Sequence, residues 1–147
     1  MGQDKMPQKD KTITLMDELQ LKIEELKKKI VPEYWKSIDV DEGWYRIIVD
    51  CDKELTAIDP NYQIFQVKQK FGGLRYYVQP SQSDTLKAMN EVISKYEAIA
   101  AKTCEATGKP GILMKSIGGW YKTLNPEYAE STPHLCKYTK AENASNI

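Results

Sequence analysis

Val67-Lys68-Gln69-Lys70-Phe71-Gly72-Gly73-Leu74-Arg75-Tyr76-Tyr77 is two alternating runs joined by a glycine pair, the pattern of a β-hairpin. A two-residue turn at Gly72-Gly73 predicts Phe71 opposite Leu74, Gln69 opposite Tyr76 and Val67 opposite Val78 on a mostly apolar face. The other face then carries Lys68, Lys70, Arg75 and Tyr77, with Lys70 opposite Arg75 and Lys68 opposite Tyr77. Like charges directly opposed destabilise a sheet, so an acidic group is expected over this face. A phosphate, a partner's carboxylate or one of the chain's own carboxylates would serve.

Working outward, residues 43–58 predict a helix with Trp44, Ile47, Ile48, Cys51, Leu55 and Ile58 on one face. Its other face carries Asp50, Asp52, Lys53 and Glu54, and is the expected internal partner of the hairpin's cations. Upstream, residues 14–30 predict an amphipathic helix, opened by a Thr14/Asp17 capping box and ended by Pro32. Met16, Leu19, Ile23, Leu26 and Ile30 form a seam of about two heptads, shorter than a coiled coil requires. Packing within the chain is favoured, with a homodimer through this helix as the alternative. Glu24 with Lys28 and Glu25 with Lys29 are expected to pair on its solvent side.

Downstream, Leu86, Met89, Val92, Ile93, Tyr96, Ile99 and Ala100 predict a third helix over 84–104. Two short strands, 111–115 and 120–124, follow around Gly118-Gly119, with a helical turn at 127–129. The expected fold is α+β: three main helices packed with an antiparallel hairpin and a short C-terminal two-stranded ribbon. Residues 1–13 and 140–147 are polar and are expected to be tails flanking one domain over 14–139.

The chain has 147 residues, with 21 Lys plus Arg against 21 Asp plus Glu, so its net charge is zero. That balance disfavours a generally basic nucleic-acid binder and leaves room for a local basic face. No apolar run approaches the roughly 18 residues of a membrane span. Three widely spaced cysteines, Cys51, Cys104 and Cys136, are no disulfide framework, and a reducing cytoplasmic location is expected.

Together, Gly43-Trp44-Tyr45 and Lys68-x-Lys70-Phe71-Gly72-Gly73-Leu74-Arg75-x-Tyr77 resemble a group of small bacteriophage and prophage proteins without an established activity. In that group the C-terminal segment commonly reads Cys-x-x-Cys-Gly-x-Pro-Gly, then Gly-Trp, then Thr-Leu-Cys-x-x-His, like a zinc ribbon. The resemblance covers residues 43–128 and implies a phage origin. This chain departs from the pattern. Cys104 stands at the first ligand position, but Thr107, Asn125 and Tyr128 stand at the other three. Structural zinc needs four Cys or His ligands, so the ribbon is expected to keep its shape without metal. Trp120, Tyr121 and Tyr128 are expected to fill the vacated space.

Other chemistry is weaker. Cys104, His134 and Cys136 offer three zinc ligands without a fourth, and the same Cys and His lack the orienting group of a nucleophilic dyad. The carboxylates Asp39, Asp41, Glu42, Asp50, Asp52, Glu54 and Asp59 could hold Mg²⁺, but they follow no metal-loop spacing and fit a solvated helix face better. The glycine pair lacks the Gly-Lys-Ser/Thr ending of a phosphate loop.

No catalytic set, cofactor or metal site is therefore expected. The preferred reading is a phage-encoded, non-enzymatic protein that binds a host or phage protein, with inhibition of a host antiviral defence as its sharpest form. Lys68, Lys70, Arg75 and Tyr77 are the candidate contacts, with Trp120 and Tyr121 as partner-facing aromatics. Nucleic-acid binding through the basic face is the alternative, and a small enzyme built on the acidic stretch is the third class.

Overall fold

The computed structural model describes residues 14–141. The tail expected over 1–13 and most of the one expected over 140–147 lie outside the described residues.

Helix α1 spans Leu15–Lys27 and opens with the predicted capping box. The Thr14 hydroxyl accepts the Asp17 N–H at 3.0 Å, and the Asp17 carboxylate accepts the Thr14 N–H at 3.4 Å. Leu19, Ile23 and Leu26 are buried against the rest of the chain, so the seam is consumed internally. The helix stops short of residue 30 because the backbone leaves it to bond a strand. Val31 N–H donates to the Ile64 carbonyl, and Ile64 N–H donates to the Lys29 carbonyl. The glutamate pairs shift as well: Glu24 meets Lys27, Glu25 meets Lys28, and Lys29 turns inward.

After β1 (Ile38–Asp39) and a 3-10 turn at Glu42–Trp44, helix α2 runs over Tyr45–Ile58. The hairpin follows as β2 (Gln63–Lys70) and β3 (Gly73–Gln79). Helix α3 (Leu86–Ala100) then packs on α2 and on β3. Trp44, Ile48, Leu55, Ile64, Val67, Leu74 and Met89 are essentially inaccessible and form the main core. Burying a side chain of this kind is worth about 1.5–3 kcal/mol, which makes the packed helical faces the chief source of order.

The first sheet has the order β1-β2-β3. Its β1–β2 pairing is parallel, whereas only antiparallel pairing was expected. The second sheet consists of β4 (Ile112–Lys115), β5 (Tyr121–Leu124) and β6 (Thr139–Lys140), in the order β5-β4-β6. The expected two-stranded ribbon is thus three-stranded, and Lys140 belongs to it rather than to a tail. Helix α4 (Pro126–Ser131) lies between β5 and β6. The α+β class holds.

Polar residues fix the main core at two points. Asp52 accepts from Lys29 at 2.7 Å and from the Tyr62 hydroxyl at 2.5 Å, and the Tyr62 and Tyr76 hydroxyls stand 2.8 Å apart. Buried Asp59 accepts from the Ser81 N–H and hydroxyl, the Thr85 hydroxyl and the Asn61 N–H. These donors, the Ser81 hydroxyl first, hold its carboxyl below the usual range.

Candidate binding surface on the hairpin face and tip

The hairpin turn is Phe71-Gly72, one residue earlier than expected. Both residues have positive φ, 55° and 83°, as a type I′ turn requires. Lys70 therefore faces Gly73, Gln69 faces Leu74, Lys68 faces Arg75 and Val67 faces Tyr76. Ile64 faces Val78, and Phe65 bulges out before the Gln66–Tyr77 pair. Moving the turn by one residue changes each partner by two, so every side chain still in the strands keeps its face. Only Phe71 leaves the apolar side, becoming a turn residue 70% exposed.

The physical reason lies in the ribbon. The Thr123 hydroxyl donates to the Gly72 carbonyl at 2.7 Å, and a Cβ on Gly72 would lie 2.5 Å from Leu113 Cδ1. Gly72 is thus the residue pressed against the second sheet, and this long-range contact sets the turn.

On the outer face, Lys68 and Arg75 are half-buried and directly opposed, Lys70 is exposed and Tyr77 is 44% exposed. Among the described residues, none of the three cations forms a salt bridge. Asp39 is in register beside Lys68 across the parallel pair, outside ion-pair distance. The α2 carboxylates expected to cover this face do not reach it. Asp52 is taken by Lys29, and Glu54 by Lys95 at 2.8 Å and by the Tyr96 hydroxyl. The turn of α2 carries them toward α1 and α3, away from the outer face of the sheet. The Lys95 ammonium first, then Tyr96, lowers the Glu54 carboxyl below its usual range.

At the hairpin tip, Gln69, Lys70, Phe71, Gly118, Gly119, Trp120 and Tyr121 line a cleft of about 500 Å³. The structure therefore brings Lys70, Trp120 and Tyr121 together, three residues singled out in the sequence. Lys70 Nζ lies 5.7 Å from the Phe71 ring centroid, and Lys115 Nζ lies 5.6 Å from that of Tyr121. The β4–β5 turn is held by buried Ser116, whose N–H donates to the Trp120 carbonyl at 2.9 Å and whose hydroxyl accepts the Trp120 N–H at 3.1 Å. Ile117 and Trp120 project from it, 94% and 72% exposed. Trp120 and Tyr121 therefore do not fill the ribbon's interior as expected. Cys104, Met114, Leu124, Ala129 and Leu135 do so, with Tyr128 packed against them.

Phe71, Ile117 and Lys115 were not singled out from the sequence. The available signal was large apolar residues placed in or beside glycine turns, at Phe71-Gly72 and Ile117-Gly118-Gly119-Trp120. Tyr34 and Phe65 were missed too; their rings lie tilted at 5.4 Å beside the bulge.

The residues at the ribbon's ligand positions have other tasks. Thr107 accepts the Lys109 N–H at 3.2 Å. Asn125 caps α4 by accepting the Tyr128 N–H at 3.0 Å, and its amide donates to the Pro110 carbonyl at 3.0 Å. Cys104 is buried, Cys136 is exposed, and His134 lines a separate cleft with Asp41, Glu42, Tyr45, Lys122 and Tyr128. Among the described residues, no group of three or more His, Cys, Asp and Glu is arranged to hold a metal. Beside that cleft, buried Glu105 accepts the Asp41 N–H at 3.0 Å, while its other oxygen is 3.9 Å from Lys122 Nζ and has no hydrogen bond. Burial pushes its carboxyl up.

Gly43-Trp44 and the ribbon form one joint. A Cβ on Gly43 would collide with the Glu105 carbonyl and lie 2.5 Å from that of Cys104, and Trp44 Nε1 donates to the Thr103 carbonyl at 2.8 Å. No described helix is long and apolar enough to cross a membrane. Compared with protein-family models, curated proteins and solved structures, the chain finds no match.

Proposed function

We propose that this chain is a phage-encoded, non-enzymatic accessory protein that binds a host or phage protein in the host cytoplasm and modulates it, with inhibition of an antiviral defence system as its sharpest form. One observation carries the reading. Lys68 and Arg75 stand directly opposed beside Lys70, with no described carboxylate in ion-pair range. An arrangement that costs the sheet stability fits a surface kept for an acidic partner. The adjoining tip adds exposed aromatic residues, the types that dominate binding hot spots.

The test is affinity capture from phage-infected cells with the intact chain and with Arg75→Glu, followed by reconstitution with the purified partner. Specific recovery by the intact chain, weakened by Arg75→Glu and by salt, supports the reading. Failure to recover any specific protein overturns it.

A second reading, binding of single-stranded nucleic acid, draws on Tyr77 among the cations and on the Phe65–Tyr34 pair further along β2. Steeply salt-dependent binding of a short oligothymidine, lost in Lys70→Glu with Arg75→Glu, favours it over the first.

A further inference from the structure

We infer that the cleft at the hairpin tip is a docking site for an extended acidic segment of a partner protein, anchored by one large apolar side chain; this rests on the protein-binding reading above. The cleft's walls are Phe71, Trp120 and Tyr121, and its volume of about 500 Å³ suits one such side chain with part of its backbone. Gly118 and Gly119 leave one wall as bare backbone, and a Cβ at Gly119 would meet nothing within 4 Å. Among the described residues no Asp or Glu lines the cleft, while Lys70 and Lys115 lie beside the rings of Phe71 and Tyr121. That charge pattern is complementary to carboxylates.

Two features favour a peptide over a nucleic acid. Beside the three rings, which would serve either ligand, Ile117 adds an exposed aliphatic surface that packs against side chains rather than stacking on a base. The chain's zero net charge also supplies no wide field for a phosphate backbone.

The site is held in place before binding. The Thr123–Gly72 hydrogen bond fixes the hairpin turn on the ribbon, and Ser116 fixes the loop that presents Trp120. Little ordering is then required when a partner arrives.

The geometry also sets the spacing of the acidic residues. Along β2, Lys70 and Lys68 are two residues apart on one face, about 6.6 Å at strand rise. A strand-like ligand running from an anchor beside Phe71 along β2 would place two carboxylates two residues apart, the nearer over Lys70 and the farther over the Lys68–Arg75 pair.

The experiment selects a displayed library of random dodecapeptides against the full chain, and in parallel against Trp120→Ala and Lys70→Glu forms with unchanged melting. The winning peptide is then titrated, with a short oligothymidine as the comparison probe. The expected result is enrichment of peptides carrying one large apolar residue with Asp or Glu at that spacing, and affinity reduced about tenfold or more by either substitution. No enrichment, neutral or basic winners, or affinity unchanged in both variants overturns the inference. Oligothymidine binding more tightly than the winning peptide, and displaced by it, overturns it in favour of nucleic acid. A captured partner that needs Arg75 but binds Trp120→Ala normally leaves the protein-binding reading standing and removes only the cleft.

Discussion

Thr123 and Gly72, 51 residues apart, are joined by a buried 2.7 Å hydrogen bond from the Thr123 hydroxyl to the Gly72 carbonyl. This bond fastens the hairpin turn to the ribbon and so holds Phe71 across from Trp120. Thr123→Val keeps the shape and removes the donor, leaving a buried carbonyl unpaired. The expected loss is about 1–3 kcal/mol, read as a lower urea midpoint with an unchanged slope. A midpoint equal to that of the parent would mean the turn is held by other contacts.

Two glycines separate steric from conformational demand. Gly43→Ala drives a methyl group into the Glu105 and Cys104 carbonyls and should cost about 3 kcal/mol, because backbone on both sides prevents relief. Gly119→Ala meets open space and should cost only the strain of its φ of 91°, about 1–2 kcal/mol. Equal costs at the two positions would contradict the packed joint between Gly43 and the ribbon.

The α1 seam makes a concentration test. Ile23→Ala opens a cavity in the protein's own core and should cost about 2–5 kcal/mol. Stability in both forms should be independent of protein concentration. A midpoint that rises with concentration would show that a second copy shares the seam.

Two carboxylates give pH dependence of opposite sign. Glu105, raised by burial, binds its proton more tightly in the folded state than in the unfolded chain. Its contribution is full below the ordinary glutamate value of about 4.3 and is lost as pH rises through the higher folded value. Asp59, lowered by its donors, contributes above its ordinary value of about 3.9 and loses that contribution as pH falls through the lower folded one. Urea midpoints across pH should therefore show Glu105→Gln without the decline above pH 4.3, and Asp59→Asn without the parent's acid-side loss. A parallel pH profile in either variant would refute the corresponding assignment.

Much of this was legible in the sequence where local periodicity and burial agree. The Thr14 capping box, the three helices and the two strands around Gly118-Gly119 follow from spacing alone. The type I′ turn at Phe71-Gly72 did not, because Thr123 and Leu113 select Gly72 from outside the hairpin. The Phe65 bulge, the parallel β1 and the third strand β6 are likewise products of distant pairing. Lys68, Lys70, Arg75 and Tyr77 were placed together correctly because strand alternation survives the change of turn. Their expected cover was not, since which way α2 turns its carboxylates depends on where α1 and α3 pack.

The opposed cations make a prediction about the free protein as well. In a Glu97→Gln background, which removes the carboxylate that the Arg75 charge also acts on, Arg75→Glu replaces a like-charge pair with Lys68 by an opposite-charge pair and should stabilise the sheet by about 0.2–1 kcal/mol. A loss of stability would mean that Arg75 is already compensated within the fold.

The most direct test is the affinity of the purified captured partner for the intact chain and for the Lys70→Glu, Arg75→Glu double variant, titrated at low and high salt. The surface described here predicts binding at least about tenfold weaker in the double variant, with most of the salt dependence gone. Equal affinity and equal salt dependence in the two forms would contradict it.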